Sequence, residues 1–232
     1  MKALVLHGSK KGKPIVSFED KDLRELPNGY ARVRICAAAL NHRDEWIRQG
    51  QYPEVEGDFV LGSDGCGLVE EIKDEQYHNL LGKVVIIYPG LEWGMDERTS
   101  SRDFGVLGGP NDGTFAEYVI VPAENLVLKP AFLTPEQAAA IPIAGLTSYR
   151  ALTSRGGLQA NEAVLITGGG GGCGSFLIQF AQKIGAKVYF TTGDKKKLEF
   201  LEHNMGAKGF LYTDPNWIEK IKEMRKDESH DG

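Results

Sequence analysis

Residues Gly168 to Gly174 form the stretch whose composition points most directly to chemistry: five consecutive glycines, then Cys173 and Gly174. Gly169, Gly171 and Gly174 satisfy GxGxxG, with Gly172 and Cys173 inside the same turn. A tight turn of positive φ tolerates no Cβ, and a pyrophosphate must approach bare backbone. A helix that follows such a turn offers unpaired N–H groups and its positive dipole end to phosphate. Spacing alone also fits a flexible glycine loop, so the flanks decide. Ala163 to Thr167 is a short apolar run suited to a buried parallel strand. Ser175 to Ile184 places Phe176, Leu177, Phe180, Ala181 and Ile184 at helical spacing, and Gly185 ends that helix. Lys187 to Thr192 reads as a second strand. Strand, glycine turn, helix and strand make half of a nucleotide-binding α/β unit.

The end of the second strand selects the nucleotide. NAD-preferring folds carry an acidic residue there to hold the ribose 2′-OH. This chain reads Thr191-Thr192-Gly193-Asp194, then Lys195, Lys196 and Lys197. The hydroxyls and lysines favour a 2′-phosphate and hence NADP(H) ahead of NAD(H), with Thr192 and Lys197 as the candidates. Asp194 argues the other way, and three lysines also suit a solvated helix start. Cys173 has two readings, a thiol acidified at a helix N-terminus or a packed side chain, and packing is expected.

The elements that must position these residues follow from the rest of the chain. At 232 residues it holds one or two domains, and 25% charged with 41% hydrophobic residues is ordinary for a globular protein. A net charge of −5 supplies no basic stripe for nucleic acid. The start MKALVLHGSK is too short in apolar residues for a signal peptide, and no later stretch reaches membrane length. Three widely spaced cysteines, Cys36, Cys66 and Cys173, fit no CxxC zinc pattern and suggest free thiols in a reducing cytosol. A cytoplasmic location without membrane or nucleic-acid partners is therefore expected.

Residues 1–125 are strand-rich. Lys2 to Leu6, Tyr30 to Ala39, Gly65 to Ile72, Lys83 to Tyr88 and Phe115 to Val121 read as strands between glycine, proline and acidic turns. Arg43 to Gln49 reads as a helix. Thr134-Pro135-Glu136-Gln137 is a helix start with a capping box, opening a helical stretch to about Leu152. Gly209 to Tyr212 and Trp217 to Arg225 read as a third strand and a further helix. The domain division is placed at 1–125 and 126–232.

Five segments carry a resemblance: ALNHRDEWIRQGQYP (39–53), LGSDGCGLVEE (61–71), GTFAEYVIVPAENL (113–126), IPIAGLTSYRAL (141–152) and the glycine turn. Together the chain resembles the medium-chain dehydrogenase/reductase superfamily, in its zinc-independent quinone-oxidoreductase-like branch. The resemblance implies an α/β protein: a GroES-like β-rich catalytic domain, then a Rossmann doubly wound parallel sheet, with a substrate cleft between them. It also implies that the chain stops short. Relatives run roughly 100 residues longer. Strands four to six of the Rossmann sheet, and with them most of the nicotinamide half, would then be absent.

Departures from the family pattern bear on the metal. Zinc-dependent relatives place a Cys where this chain has Asn41, and a His-Glu pair where it has Ser63-Asp64. Catalytic zinc needs three ligands of thiolate, imidazole or carboxylate type. The lobe Pro89 to Asp112, where zinc relatives carry four cysteines, contains none. No zinc is expected, and His42 beside Asp44 is read as a structural hydrogen-bond pair. Zinc-free relatives reduce quinones or α,β-unsaturated carbonyls with NADPH. By resemblance, Asn41 and Thr147 would sit near the nicotinamide, Asp44 would order the helix after Asn41, and Tyr52 would line the cleft as a donor. Trp46 replaces a tyrosine found in relatives. The residues by themselves also allow Asn41 to be only a helix cap and Tyr52 a packing residue beside Pro53. Three functions follow: an NADPH-dependent quinone or enone reductase, dimeric in its full-length form; an inactive nucleotide- or partner-binding product; and, disfavoured by Asn41 and Ser63, an alcohol dehydrogenase.

Overall fold

The computed structural model describes residues 1–8, 14–53 and 57–228. They form two compact units, Met1–Ile143 and Ala144–Gly232.

Among the described residues the first unit is built on eleven strands: β1 (Lys2–His7), β2 (Ile15–Asp20), β3 (Tyr30–Ala39), β4 (Phe59–Val60), β5 (Asp64–Ile72), β6 (Val84–Ile87), β7 (Gly90–Leu91), β8 (Gly105–Leu107), β9 (Pro110–Asn111), β10 (Tyr118–Pro122) and β11 (Leu126–Leu128). The main sheet runs β10-β3-β5-β6-β11, antiparallel throughout. Its core follows the two-residue period of a pleated strand. Val33, Val69, Val85, Ile87, Val119 and Val121 point into one cluster, while their neighbours Val84 and Ile86 pack into a second cluster with Ala138 and Ala139. Each such side chain contributes about 1.5–3 kcal/mol by leaving water. A second sheet, β2-β1-β4, packs Leu6, Phe59 and Leu61 against Ile47 of helix α1 (His42–Arg48).

The division between units falls beyond the expected 125/126. Residues 126–143 stay with the first unit because β11 pairs with β6 and helix α2 (Pro135–Ala139) packs on the sheet. Ala138 and Ala139 of α2 bury against Cys66, which burial pushes up to about 11, so that thiol stays protonated at neutral pH. The Thr134 capping box forms as expected, with Gln137 N–H donating to Thr134 Oγ1 at 3.2 Å. The stretch to Leu152 is not one helix. It breaks at Ala140, since Pro142 has no N–H to continue the ladder. Helix α3 (Pro142–Arg150) follows, ending in a π-turn over Ala151–Arg155.

The second unit is a parallel sheet, β12 (Ala163–Ile166), β13 (Lys187–Thr192) and β14 (Lys208–Leu211), in the order β12-β13-β14. Helices α4 (Gly172–Ile184), α5 (Lys195–Met205) and α6 (Trp217–Glu228) connect and follow the strands. Ile166, Ile178, Ala181, Val188, Phe190 and Leu201 form its core. This is the 3-2-1 half of a doubly wound sheet. Gly185 ends α4 in the left-handed conformation, at φ 90°, as its residue type required.

One boundary differs from expectation. Helix α4 starts at Gly172, not Ser175, so Gly172 and Cys173 belong to its first turn. The lysine run opens α5, with Asp194 as its cap accepting from Lys197 N–H at 3.0 Å. Among the described residues no helix is long and apolar enough to cross a membrane.

Candidate functional site

In the second unit the glycine turn joins β12 to α4. Gly168 takes φ +72°, Gly169 N–H donates to the Thr191 carbonyl at 2.9 Å, and Gly171 N–H donates to the Gly168 carbonyl at 3.0 Å. The three motif glycines differ in what surrounds them. A Cβ on Gly169 would lie 2.7 Å from the Phe190 ring, and one on Gly174 only 2.3 Å from the Gly168 carbonyl oxygen. One on Gly171 would meet nothing closer than 3.5 Å. The outer glycines thus allow strand and helix to close on each other, while the middle one leaves backbone open. This is the division of labour a pyrophosphate turn needs.

Beside the turn lies an open cleft of ≈ 230 Å³ lined by Gly168, Gly170, Gly171, Thr192, Gly193, Asp194, Lys197 and Tyr212. The Lys197 stem crosses Gly170: a Cβ there would lie 2.7 Å from Lys197 Cδ. Thr192 is buried and its Oγ1 accepts from Asp194 N–H at 3.3 Å. One Asp194 oxygen is committed to capping α5. The residues present fit a dinucleotide phosphate: bare N–H groups at a helix start, a lysine across the turn and a hydroxyl at the strand end. Tyr212 was not foreseen; its hydroxyl sits where a Cβ on Gly193 would be, 2.2 Å away, so the tyrosine depends on that glycine. Cys173 is exposed, which overturns its reading as a packed residue. Its position in the first turn of α4 turns its side chain out of the core. Thr147, on α3, is also exposed.

In the first unit, the pairing of Ala39 with Asp64 between β3 and β5 brings the chain just past β3 alongside the start of β5. Asn41 caps α1, and its backbone N–H donates to Asp44 Oδ2 at 2.8 Å, one half of a capping box. Its side-chain Nδ2 donates to Asp64 Oδ2 at 3.0 Å, and Ile143 N–H donates to Asp64 Oδ1 at 3.0 Å. Asp64 is 1% exposed. Burial pushes its carboxyl up to about 6, opposed by the Asn41 and Ile143 hydrogen bonds and reinforced by the nearby Asp44 charge. Burial likewise raises Asp44, against the Asn41 N–H and the Arg43 charge. The expected His42–Asp44 pair does not form: His42 is exposed, while Asp44 is buried with Oδ1 lacking any partner.

Arg43, which the sequence did not single out, gathers three segments. Nη1 donates to Ser63 Oγ at 3.1 Å and to the Leu107 and Gly108 carbonyls at 3.2 and 3.0 Å, and Nη2 to the Gly109 carbonyl at 2.7 Å. The guanidinium lies 5.1 Å from the Tyr52 ring centroid, a cation–π contact that holds this half-exposed tyrosine. The loop reaches Arg43 because Gly62, Gly108 and Gly113 touch backbone to backbone; a Cβ on Gly113 would lie 2.0 Å from the Gly62 oxygen. No sequence pattern encodes a guanidinium whose partners are carbonyls. Among the described residues no group of three or more His, Cys, Asp or Glu stands ready to hold a metal ion. Asn41 turns an amide N–H toward Asp64, Ser63 already serves a guanidinium, and a fixed cation stands beside both.

An antiparallel β unit followed by a parallel half-sheet with a glycine turn at its helix start defines the class as a two-unit α/β protein. Comparison with known proteins gives the family. The alcohol dehydrogenase GroES-like domain matches residues 27–131. A zinc-type alcohol dehydrogenase-like protein of Schizosaccharomyces pombe is 32% identical over 207 residues, 88% of this chain and 59% of the relative. An acryloyl-coenzyme A reductase of Sulfurisphaera tokodaii is 30% identical over 211 residues, covering 87% and 61%. A solved NAD-dependent alcohol dehydrogenase is 34% identical and superposes with a TM-score of 0.86 over 97% of this chain and 67% of its own. The chain belongs to the medium-chain dehydrogenase/reductase superfamily. It spans about three fifths of the length of these two curated relatives.

Proposed function

We propose that the chain carries the phosphate and acceptor sites of an NADP(H)-dependent reductase that acts on α,β-unsaturated carbonyls or quinones without zinc. The observation that carries this reading is the side-chain set around Asn41. An amide, a hydroxyl bonded to a guanidinium and a tyrosine replace a metal donor set. Such groups donate hydrogen bonds to an oxygen that gains charge, which is the task in conjugate reduction. A relative named as an acryloyl-coenzyme A reductase supports an alkene conjugated to a carbonyl as acceptor.

When bound, a nicotinamide cofactor would supply the hydride for the acceptor carbon. Gly169, Gly171, Gly172, Cys173 and Gly174 would present the turn and the start of α4 to the pyrophosphate, and Lys197, Thr192 and Tyr212 would hold the 2′-phosphate. Asn41 would offer its amide N–H to the acceptor oxygen. Tyr52, fixed by Arg43, would donate to the oxygen that receives the electron pair. Asp44 would act only through Asn41, by ordering α1.

The test is a paired titration with NADPH and NADH, followed by thermal melting and by NADPH oxidation with enone and quinone panels. Preferential binding of NADPH, a raised Tm and turnover of a conjugated acceptor are expected. Preference for NADH, or stoichiometric zinc by elemental analysis with alcohol oxidation, would overturn the reading. Nucleotide binding with no turnover of any acceptor would favour a non-catalytic nucleotide-binding polypeptide.

A further inference from the structure

Asn41 carries a donor and an acceptor on one carbon, and a rotation of the amide exchanges them. Which of them a ligand meets depends on what holds the other. Asp64 stands behind this amide as a side chain on a different strand, completely enclosed. An ionised carboxylate only accepts. One of its oxygens is already met by Ile143 N–H at 3.0 Å, in the first turn of α3. The other faces Asn41 at 3.0 Å, and only Nδ2 can donate to it. The Asn41 side chain makes no cap hydrogen bond to α1; Asp44 N–H donates to the Asn41 backbone carbonyl at 3.0 Å. One hydrogen of Nδ2 is therefore committed to Asp64, and the second is left over. Asn41 itself is partly exposed.

We propose that Asp64 is a positioning residue for Asn41, holding its amide so that the remaining Nδ2 hydrogen is offered as a donor to a ligand oxygen. The ligand class this selects is a carbonyl or quinone oxygen that gains negative charge. A hydroxyl that must itself donate would find no acceptor at Nδ2. The inference deepens the function proposed above and rests on it for the identity of the ligand, but the Asp64–Asn41 arrangement stands independently of that reading.

The groups facing Asp64 are few. From α1 come Asn41 and the Asp44 charge; from α3, the Ile143 N–H; from the segment before β10, the Thr114 hydroxyl, which donates to the Asp64 backbone carbonyl at 2.7 Å. Arg43 bonds to the adjacent Ser63. Among the described residues no lysine or arginine forms an ion pair with Asp64. With its carboxyl raised to about 6 by burial, the arrangement can be switched within an ordinary pH range. In protonated Asp64 one oxygen still accepts from Ile143 N–H while the oxygen facing Asn41 becomes a hydroxyl, and its hold on Nδ2 is weakened.

The test observes the Asn41 side-chain ¹⁵N–¹H₂ pair in the whole chain, assigned by its loss in Asn41→Ala. In the wild type the pair is expected to shift between pH 5 and 8 with a midpoint near 6, and in Asp64→Asn that titration disappears. The amide introduced by Asp64→Asn still offers an oxygen to Ile143, so the fold is retained. In turnover, Asp64→Asn is expected to lower kcat for a conjugated acceptor about tenfold and to flatten the acid limb of the pH profile. The NADPH Kd should stay within twofold. A wild-type Asn41 pair that does not move between pH 5 and 8 would overturn the proposal without any variant, as would a titration that persists in Asp64→Asn. A titrating pair in a protein that turns over no acceptor would overturn the functional reading and leave the positioning role in place.

Discussion

Gly174 in the second unit and Asp64 in the first are both enclosed, and each is the position on which its surroundings depend. Gly174 works because it lacks a side chain, so the Gly168 carbonyl can stand where a Cβ would be. Asp64 works because of the side chain it has, joining Asn41 to the first turn of α3. The phosphate site is made of backbone and needs only local order. The polar cluster is made of side chains from distant segments and needs the β3–β5 register and the approach of loop 107–109. A site of the first kind fails by overpacking, and one of the second by loss of a partner.

The largest effect should come from filling the tighter glycine. Gly174→Val is expected to destabilise the second unit by about 3 kcal/mol or more and to abolish NADPH binding. Urea unfolding with separate probes should find the first unit unchanged. Melting of both units together would mean that the two sites are not independent.

Asp64 sets the next effect through pH. Its carboxyl lies at about 6 in the folded chain against 3.8 for the free group. The folded state therefore holds the proton more tightly, and stability falls as pH rises from 3.8 to about 6. That interval corresponds to about 3 kcal/mol as an upper estimate. Asp64→Asn should remove this slope, so wild type and variant converge in stability as pH is lowered from 7 toward 4. Parallel stability curves would contradict the raised carboxyl.

Arg43→Ala should cost about 2 kcal/mol, because it leaves buried carbonyls of residues 107–109 short of a donor. Hydrogen exchange should rise in Gly108 to Gly113 and leave the glycine turn as it was. Arg43→Lys should recover little, since a point charge cannot serve this fork of acceptors. A smaller effect belongs to Lys197→Ala. It should reduce the preference for NADPH over NADH about tenfold, or about 1.4 kcal/mol, without changing Tm. An unchanged preference would assign the lysine to solvation of α5 alone.

The smallest change sharpens the contrast. Gly171 has an extended backbone, φ −92° and ψ 171°, with room for a methyl group. Gly171→Ala should alter stability by no more than about 0.5 kcal/mol. It should still weaken nucleotide binding, because the methyl group lies where phosphate would approach.

Much of the fold was legible. The limits of β3 and β13, the Thr134 box and the Gly185 cap were each carried by a local signal: alternation, a capping pair or a residue able to take positive φ. The two-residue strands β4, β7 and β9 are too short to show a period. β2 was missed because Ile15 and Phe18 face solvent, at 68% and 71% exposure, so its pattern does not alternate inward. The α2–α3 break was hidden because the apolar helical spacing continues through Pro142. Cys173 was misplaced because one turn of helix phase decides whether a side chain faces the core.

The sequence by itself determined the glycine turn, because the conformational freedom and the missing Cβ that it uses are properties of single residues at fixed spacing. It also supplied the side-chain types near Asn41: an amide, the Ser63 hydroxyl and the Asp64 carboxylate. What those side chains bond to came from the tertiary structure alone. The pairing of Ala39 with Asp64 carries Asn41 to a buried carboxylate, and backbone contact among Gly62, Gly108 and Gly113 brings three carbonyls to Arg43. Both are meetings of segments far apart in the chain. Their geometry comes from strand register and close packing, which no local run of residues contains.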